Sequence, residues 1–184
     1  NFRCTYCMPE EGMQWLPRSE VLTFEEIERL AGICVTRFGF DGIRLTGGEP
    51  TMRAHLATLV AKLSAFGVDI AMTTNGATLR NSAHELRAAG LSRLNISLDT
   101  LAREKFERMT RRDELANVLA GIAAAKSAGF DPVKINVVVE RGVNDDEIVA
   151  LAAFGRDEGL EVRFIEFMPL DASDEWGRAK VVGQ

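Results

Sequence analysis

The sequence predicts an α/β fold built on a parallel sheet, and three observations carry this. Five short apolar runs, several rich in β-branched residues, alternate with segments of helical period. Helical sequence separates each run from the next, as right-handed crossovers between parallel strands require. The unusual polar and glycine-rich motifs also fall at the C-terminal ends of the runs, the edge where parallel α/β folds hold their ligands. The length of 184 residues, 46% of them hydrophobic, suits one domain with its own core.

Thr23 and Glu26 form a capping box, after which Ile27, Leu30, Ala31, Cys34, Val35 and Phe38 recur at helical spacing until Gly39. Gly42 to Thr46 reads as a buried strand ending in Gly47-Gly48-Glu49-Pro50. Leu56, Leu59, Val60 and Leu63 mark a second helix, and Val68 to Thr74 a strand ending at Asn75-Gly76. Leu79 to Ala89 is helical, and Arg93 to Leu98 is a strand leading into Asp99. A short helix near Arg103 to Met109 precedes a longer one from Leu115 to Ala128. Val133 to Val139 is the fourth strand, Asn144 and Glu147 cap a helix reaching about Glu158, and Val162 to Phe167 is the fifth strand. Periodicity leaves two closures open: a doubly wound sheet, or part of a βα barrel.

Composition narrows the setting. A formal net charge of −5, with Lys and Arg scattered, gives no electrostatic case for a nucleic acid partner. No apolar run approaches the roughly 20 residues that span a bilayer, so no membrane role is expected. Three cysteines, two of them closely paired, do not form a secreted disulfide framework, and a reducing cytoplasm is the simplest setting. The oligomeric state is not encoded legibly; a homodimer is compatible with it.

Cys4-Thr5-Tyr6-Cys7 is the sharpest chemical feature. Two thiols at this spacing can ligate a metal centre or form a redox disulfide, and alone they leave zinc, redox and iron–sulfur chemistry open. The histidines, His55 and His84, fall on predicted helices without a partner and read as packing or surface residues. Cys34, on the apolar face of the first helix, reads as a small buried residue, and Arg108 to Arg112 as a solvated helix end. Arg44 and Lys134 are cations inside apolar strand runs, where an unpaired charge costs several kcal/mol. Either an anionic ligand meets them, or a strand carboxylate such as Glu166 or Asp99 does, or they point outward.

Taken together, the motifs resemble the radical S-adenosylmethionine superfamily. Asn1-Phe2-Arg3-Cys4-Thr5-Tyr6-Cys7 is similar to its CxxxCxxC cluster loop, and Gly47-Gly48-Glu49-Pro50 to the segment that meets the methionine part of the cofactor. Within the superfamily, NFRCTYCMPEEG, IRLTGGEPTMR, TTNG, LNISLDTL, VKINVVV and RFIEFMP resemble the GTP 3′,8-cyclases of molybdenum cofactor biosynthesis across essentially the whole chain. The resemblance implies a partial (βα)6 TIM-like barrel over residues 1–184, with a first strand and the third cluster cysteine expected before Asn1 and further family sequence after Gln184. It implies Cys4 and Cys7 as ligands of a 4Fe–4S cluster, with Tyr6, Gly48, Ser97 and Met168, and more weakly Glu49, contacting S-adenosylmethionine. Arg44, Thr73 and Lys134 are implied to contact GTP, and a reducing electron donor is implied as partner. Such a piece is expected not to turn over GTP by itself. Rival readings are another radical enzyme of the superfamily acting on a peptide or small metabolite, and a non-catalytic zinc-binding α/β module.

Overall fold

The computed structural model describes residues 1–9, 12–14, 16–169 and 176–183. Its strands are β1 (Gly42–Leu45), β2 (Asp69–Thr74), β3 (Arg93–Ser97), β4 (Lys134–Val139) and β5 (Glu161–Glu166). The helices are α1 (Phe24–Phe38), α2 (Leu56–Ser64), α3 (Leu79–Ala88), α4 (Arg103–Thr110), α5 (Leu115–Ser127) and α6 (Ile148–Glu158). All the strand pairings are parallel, and the strands lie in sequence order β1-β2-β3-β4-β5. A doubly wound sheet reverses its strand order at a switch point, whereas a βα barrel adds each strand beside the last. The fold is therefore a five-stranded segment of a barrel, which settles the choice that periodicity left open.

Side chains alternate across this sheet because successive residues of a strand point to opposite faces. Ile70 and Met72 of β2, Leu94 and Ile96 of β3, and Ile135, Val137 and Val139 of β4 join Leu59, Leu63, Leu79, Leu86, Val118 and Ile122 of the helices in one core. The other face carries polar residues in register: Thr73 beside Asn95, Asn95 beside Lys134, Ser97 beside Asn136, and Asn136 beside Arg163. One face is thus a hydrocarbon layer under the helices, and the other an open polar face.

Local capping follows the sequence at α1. Thr23 Oγ1 accepts from the Glu26 N–H at 3.2 Å, Glu26 Oε2 accepts from the Thr23 N–H at 2.8 Å, and Gly39 takes a left-handed φ of 68°. Three expectations are corrected. The Gly42–Thr46 run is an edge strand rather than a buried one; Arg44 is exposed, and only Ile43 and Leu45 are half-buried against the core. A strand is enclosed only when it has neighbours on both sides, and among the described residues β1 pairs with β2 alone. On α1 the apolar stripe is only partly covered: Ile27 and Ala31 pack against the core, Cys34 is half-buried, and Leu30 and Phe38 are 55% and 70% exposed. Asn144 and Glu147 do not cap α6 with their side chains; both reach across to the loop after β3. The Glu147 carboxylate is taken by donors of that loop, and the Asn144 side-chain oxygen by the Glu140 N–H.

The helical layer is tight where α5 crosses the turn leading to α3. A Cβ on Gly121 would run into the carbonyl oxygen of Gly76, and Gly76 itself needs a φ of 79°. Overpacking of this kind costs roughly 1–3 kcal/mol. Gly121→Ala is accordingly expected to lower the unfolding free energy by about that amount, read as a shift in urea midpoint at constant m-value.

Candidate active site

The open face of the sheet delivers its polar series upward along each strand: Thr73 and Asn75 from β2 and its loop, Asn95, Ser97 and Asp99 from β3, and Lys134, Asn136 and Val138 from β4. At the C-terminal edge Thr73, Asn75, Ser97, Asp99, Asn136 and Val138 line a cleft of about 270 Å³, whose wall is completed by the turn of residues 4–8 and by Thr46, Gly47, Gly48 and Glu49.

The cysteine turn is held at several points. The N–H groups of Cys7 and Met8 donate to the Cys4 carbonyl at 3.1 and 3.0 Å, folding the two cysteines back onto each other. Arg3 and Thr5 donate their N–H groups to the carbonyls of Thr110 and Met109 at the end of α4, at 3.1 and 2.9 Å. Phe2 sets its ring edge-on against Phe106, with centroids 5.8 Å apart. Arg111, at a left-handed φ of 56°, donates to the Arg3 carbonyl at 3.0 Å, and Arg112 to that of Asn1 at 3.2 Å. The arginine-rich helix end therefore binds the backbone of the cysteine segment, where a merely solvated end was expected.

The neighbouring Cys7 thiol, and then burial, push Cys4 above the usual thiol range, while the neighbouring Cys4 thiol holds Cys7 below it. Such a pair, on one turn at a cleft wall, fits two ligands of an iron–sulfur centre, which is bound through thiolates. Among the described residues no group of three or more His, Cys, Asp or Glu side chains could hold a metal. The neighbouring Tyr6 hydroxyl donates to Asp99 Oδ2 at 2.7 Å. Burial, then the nearby Asp99 carboxylate, push the Tyr6 phenol well above its ordinary range. Asp99 is itself 5% exposed, and burial pushes its carboxyl up to about 6 against the opposing effect of hydrogen bonds from Tyr6 and the Val138 N–H.

Glu49 ties the glycine motif to the loop after β2. Its Oε1 accepts from the Thr51 N–H at 3.0 Å and from the Thr51 and Thr74 hydroxyls at 2.6 Å each, and Oε2 accepts from the Asn75 N–H at 2.8 Å. The carboxylate suited on paper to a ligand ammonium is already engaged by four protein donors. Gly47 adopts a φ of 141°, which side chains rarely adopt, and leaves the backbone of this loop open to the cleft.

Of the residues singled out in the sequence, Cys4, Cys7, Tyr6, Gly48, Glu49, Thr73 and Ser97 line the cleft. Arg44, Lys134 and Met168 are not part of its lining. Arg44 is exposed and donates to Thr73 Oγ1 at 3.4 Å, while Lys134 pairs with Glu161 of the adjacent strand at 3.4 Å, rather than with Glu166 or Asp99. Met168, just past β5, is 47% exposed. Sequence reasoning gave Asn136 and Arg163 no role, read Asp99 only as a possible partner for a strand cation, and read Asn144 as a helix cap. The signal for Asn136 and Arg163 was available: like Lys134, they are polar residues at alternate positions of apolar strand runs. Asn144 gave none, because its partners, the Asp99 and Val138 carbonyls, are remote or belong to another element.

Glu49→Ala removes the acceptor for Thr74, which is buried, and for the Asn75 N–H. A loss of roughly 2–3 kcal/mol in unfolding free energy is expected from stranding these donors, measured by urea titration, with Glu49→Gln losing less.

Residues 1–155 match the Radical SAM superfamily. A GTP 3′,8-cyclase of Streptomyces coelicolor is 50% identical over 184 residues, covering 99% of this chain and 54% of its own length. Another, from Acidothermus cellulolyticus, is 52% identical over 189 residues, covering 99% of this chain and 52% of its own. The chain thus spans about half the length of these curated relatives. Methylornithine synthase shares the fold with a TM-score of 0.70 at 21% identity, over 98% of this chain and 54% of that one. With a match over most of its length and a cysteine turn set at the C-terminal edge of a βα-barrel sheet, the chain belongs to the radical S-adenosylmethionine superfamily.

Proposed function

We propose that this chain is the core of a GTP 3′,8-cyclase, which converts GTP to (8S)-3′,8-cyclo-7,8-dihydroguanosine 5′-triphosphate for molybdenum cofactor assembly. The observation that carries the reading is identity near one half, over almost the whole chain, to proteins of that name. Superfamily membership by itself supports S-adenosylmethionine and an iron–sulfur cluster; the cyclase reading adds the 4Fe–4S type, GTP and a reducing electron donor.

Cys4 and Cys7 would hold the cluster, and the backbone at Gly47 and Gly48, with Tyr6 and Ser97 opposite, would hold S-adenosylmethionine. Bound there, these groups would supply the reductive, one-electron radical chemistry that the reaction needs. The chain's own residues bind and orient. Arg44, Lys134 and Arg163 are cations on or beside the open face, and Thr73, Asn95 and Asn136 give that face hydrogen-bonding groups. A triphosphate is a suitable anion for such a band. Lys134 and Arg163 both share Glu161, at 3.4 and 2.8 Å, a carboxylate from which an incoming phosphate can draw them away. Apolar strand and helix packing beneath excludes water from the lower side of the site, as radical chemistry requires. Met168 belongs to this reading by resemblance, from a position outside the cleft lining.

The test is anaerobic reconstitution of the protein, expressed at the full length of its relatives, with iron and sulfide, followed by GTP, S-adenosylmethionine and dithionite. Formation of the cyclic nucleotide and 5′-deoxyadenosine in step is expected. Cofactor cleavage without any change in GTP, but with turnover of a peptide or metabolite, would sink the cyclase assignment while leaving the superfamily intact. In the active protein, Lys134→Ala is expected to raise the KM for GTP about tenfold through loss of a charged contact, with S-adenosylmethionine binding unchanged.

A further inference from the structure

We infer that Asp99 is a positioning residue for the iron-ligand turn, clamping it to the ends of β3 and β4 through the Tyr6 hydroxyl. The inference rests on Cys4 and Cys7 being iron ligands, as proposed above. Asp99 continues the open-face series Asn95, Ser97 one step beyond β3, so its side chain emerges under the cysteine turn. There the carboxylate takes one hydrogen bond from each side. Oδ2 accepts from Tyr6 at 2.7 Å and Oδ1 from the Val138 N–H of β4 at 2.8 Å. Tyr6 lies between the two cysteines in sequence, so fixing its ring fixes the turn that presents both sulfurs.

The clamp has its own support. Asn144, fully buried, donates to the Asp99 carbonyl at 2.7 Å and to the Val138 carbonyl at 2.9 Å, and accepts from the Glu140 N–H at 2.8 Å. Just beyond, Glu147 accepts from the Thr100 hydroxyl at 2.7 Å and the Leu101 N–H at 2.9 Å, and pairs with Lys105 at 2.9 Å. The loop that starts at Asp99 runs straight into α4, whose last carbonyls receive the N–H groups of Arg3 and Thr5. One β3–α4 unit therefore holds the turn from beneath through a carboxylate and from the side through two carbonyls. A buried carboxylate is costly unless fully partnered, and here each oxygen has a donor from a different segment. The second acceptor oxygen is what reaches the turn.

The experiment compares the full-length, iron-reconstituted protein with Tyr6→Phe, Asp99→Ala and Asp99→Asn, by hydrogen–deuterium exchange and by the Kd for S-adenosylmethionine without turnover. In Tyr6→Phe and Asp99→Ala, the amides of residues 3–8 are expected to exchange about tenfold faster, and the cofactor to bind about tenfold more weakly, as loss of one charged hydrogen bond implies. Exchange in β2 and α5 should not change, which separates the clamp from a general loss of structure. Asp99→Asn should stay near wild type, because its amide can accept from Val138 and donate to the Tyr6 oxygen. Wild-type exchange and affinity in Tyr6→Phe would overturn the clamp. So would Asp99→Asn behaving like Asp99→Ala, which would assign the effect to charge instead of position. Should Asp99→Ala not fold, Tyr6→Phe and Asp99→Asn decide between these outcomes. If the wild type takes up no iron, the ligand reading fails separately, and exchange on the iron-free proteins still decides the clamp.

Discussion

Parallel pairing of five strands in sequence order means that every loop following a strand leaves the sheet at the same edge. That constraint gathers Gly47-Gly48-Glu49, Asn75-Gly76, Asp99 and the end of β4 around one cleft, although they are spread over almost a hundred residues of chain. The alternation of side chains along each strand does the rest. It assigns hydrocarbon to the helices and leaves amides, hydroxyls and cations on the opposite face.

Buried or half-buried carboxylates bind the loops to one another at this edge. Glu49 joins the first loop to the second, Asp99 joins the third to the cysteine turn and to β4, and Glu147 joins the segment after β4 back to the third loop. Each meets part of its cost of burial with N–H or O–H donors from a neighbouring loop. The arrangement makes the rim a connected polar network above an apolar layer, and leaves no buried side-chain nitrogen or oxygen without a partner among the described residues. A rim built this way holds its own loops at fixed positions.

The electrostatics of the open face differ from those of the rim. Arg93 is paired with Asp69, and Lys134 and Arg163 share Glu161, so the cations there are balanced by carboxylates on their own or neighbouring strands. These are partly exposed pairs, weak enough to be exchanged for a ligand's charges. The cysteine turn, by contrast, is fastened by backbone hydrogen bonds, an aromatic contact and the Tyr6–Asp99 bond. The cysteine turn is thus firmly fastened, while the charges on the open face beside it are more loosely held.

The sequence by itself determined the helices and strands nearly residue for residue, because their signals are local: the Thr23–Glu26 box, the helical recurrence from Ile27, and the β-branched run of β4. It also marked the cysteine turn and the glycine motif, since both stand out from an otherwise ordinary composition. What only the tertiary structure decided are the relations between distant segments. The unreversed strand order chose the barrel over the doubly wound sheet. Among the described residues β1 pairs with β2 alone, which leaves exposed a run that reads as buried, and Arg111 and Arg112 turned from a helix end into a brace for the cysteine segment. Asn144 and Glu147 carry a helix-capping pattern, yet their side chains bind a loop some 45 residues away. Hydrogen bonds go to whichever donors and acceptors burial leaves unmet, and which those are is settled only once the segments have packed together.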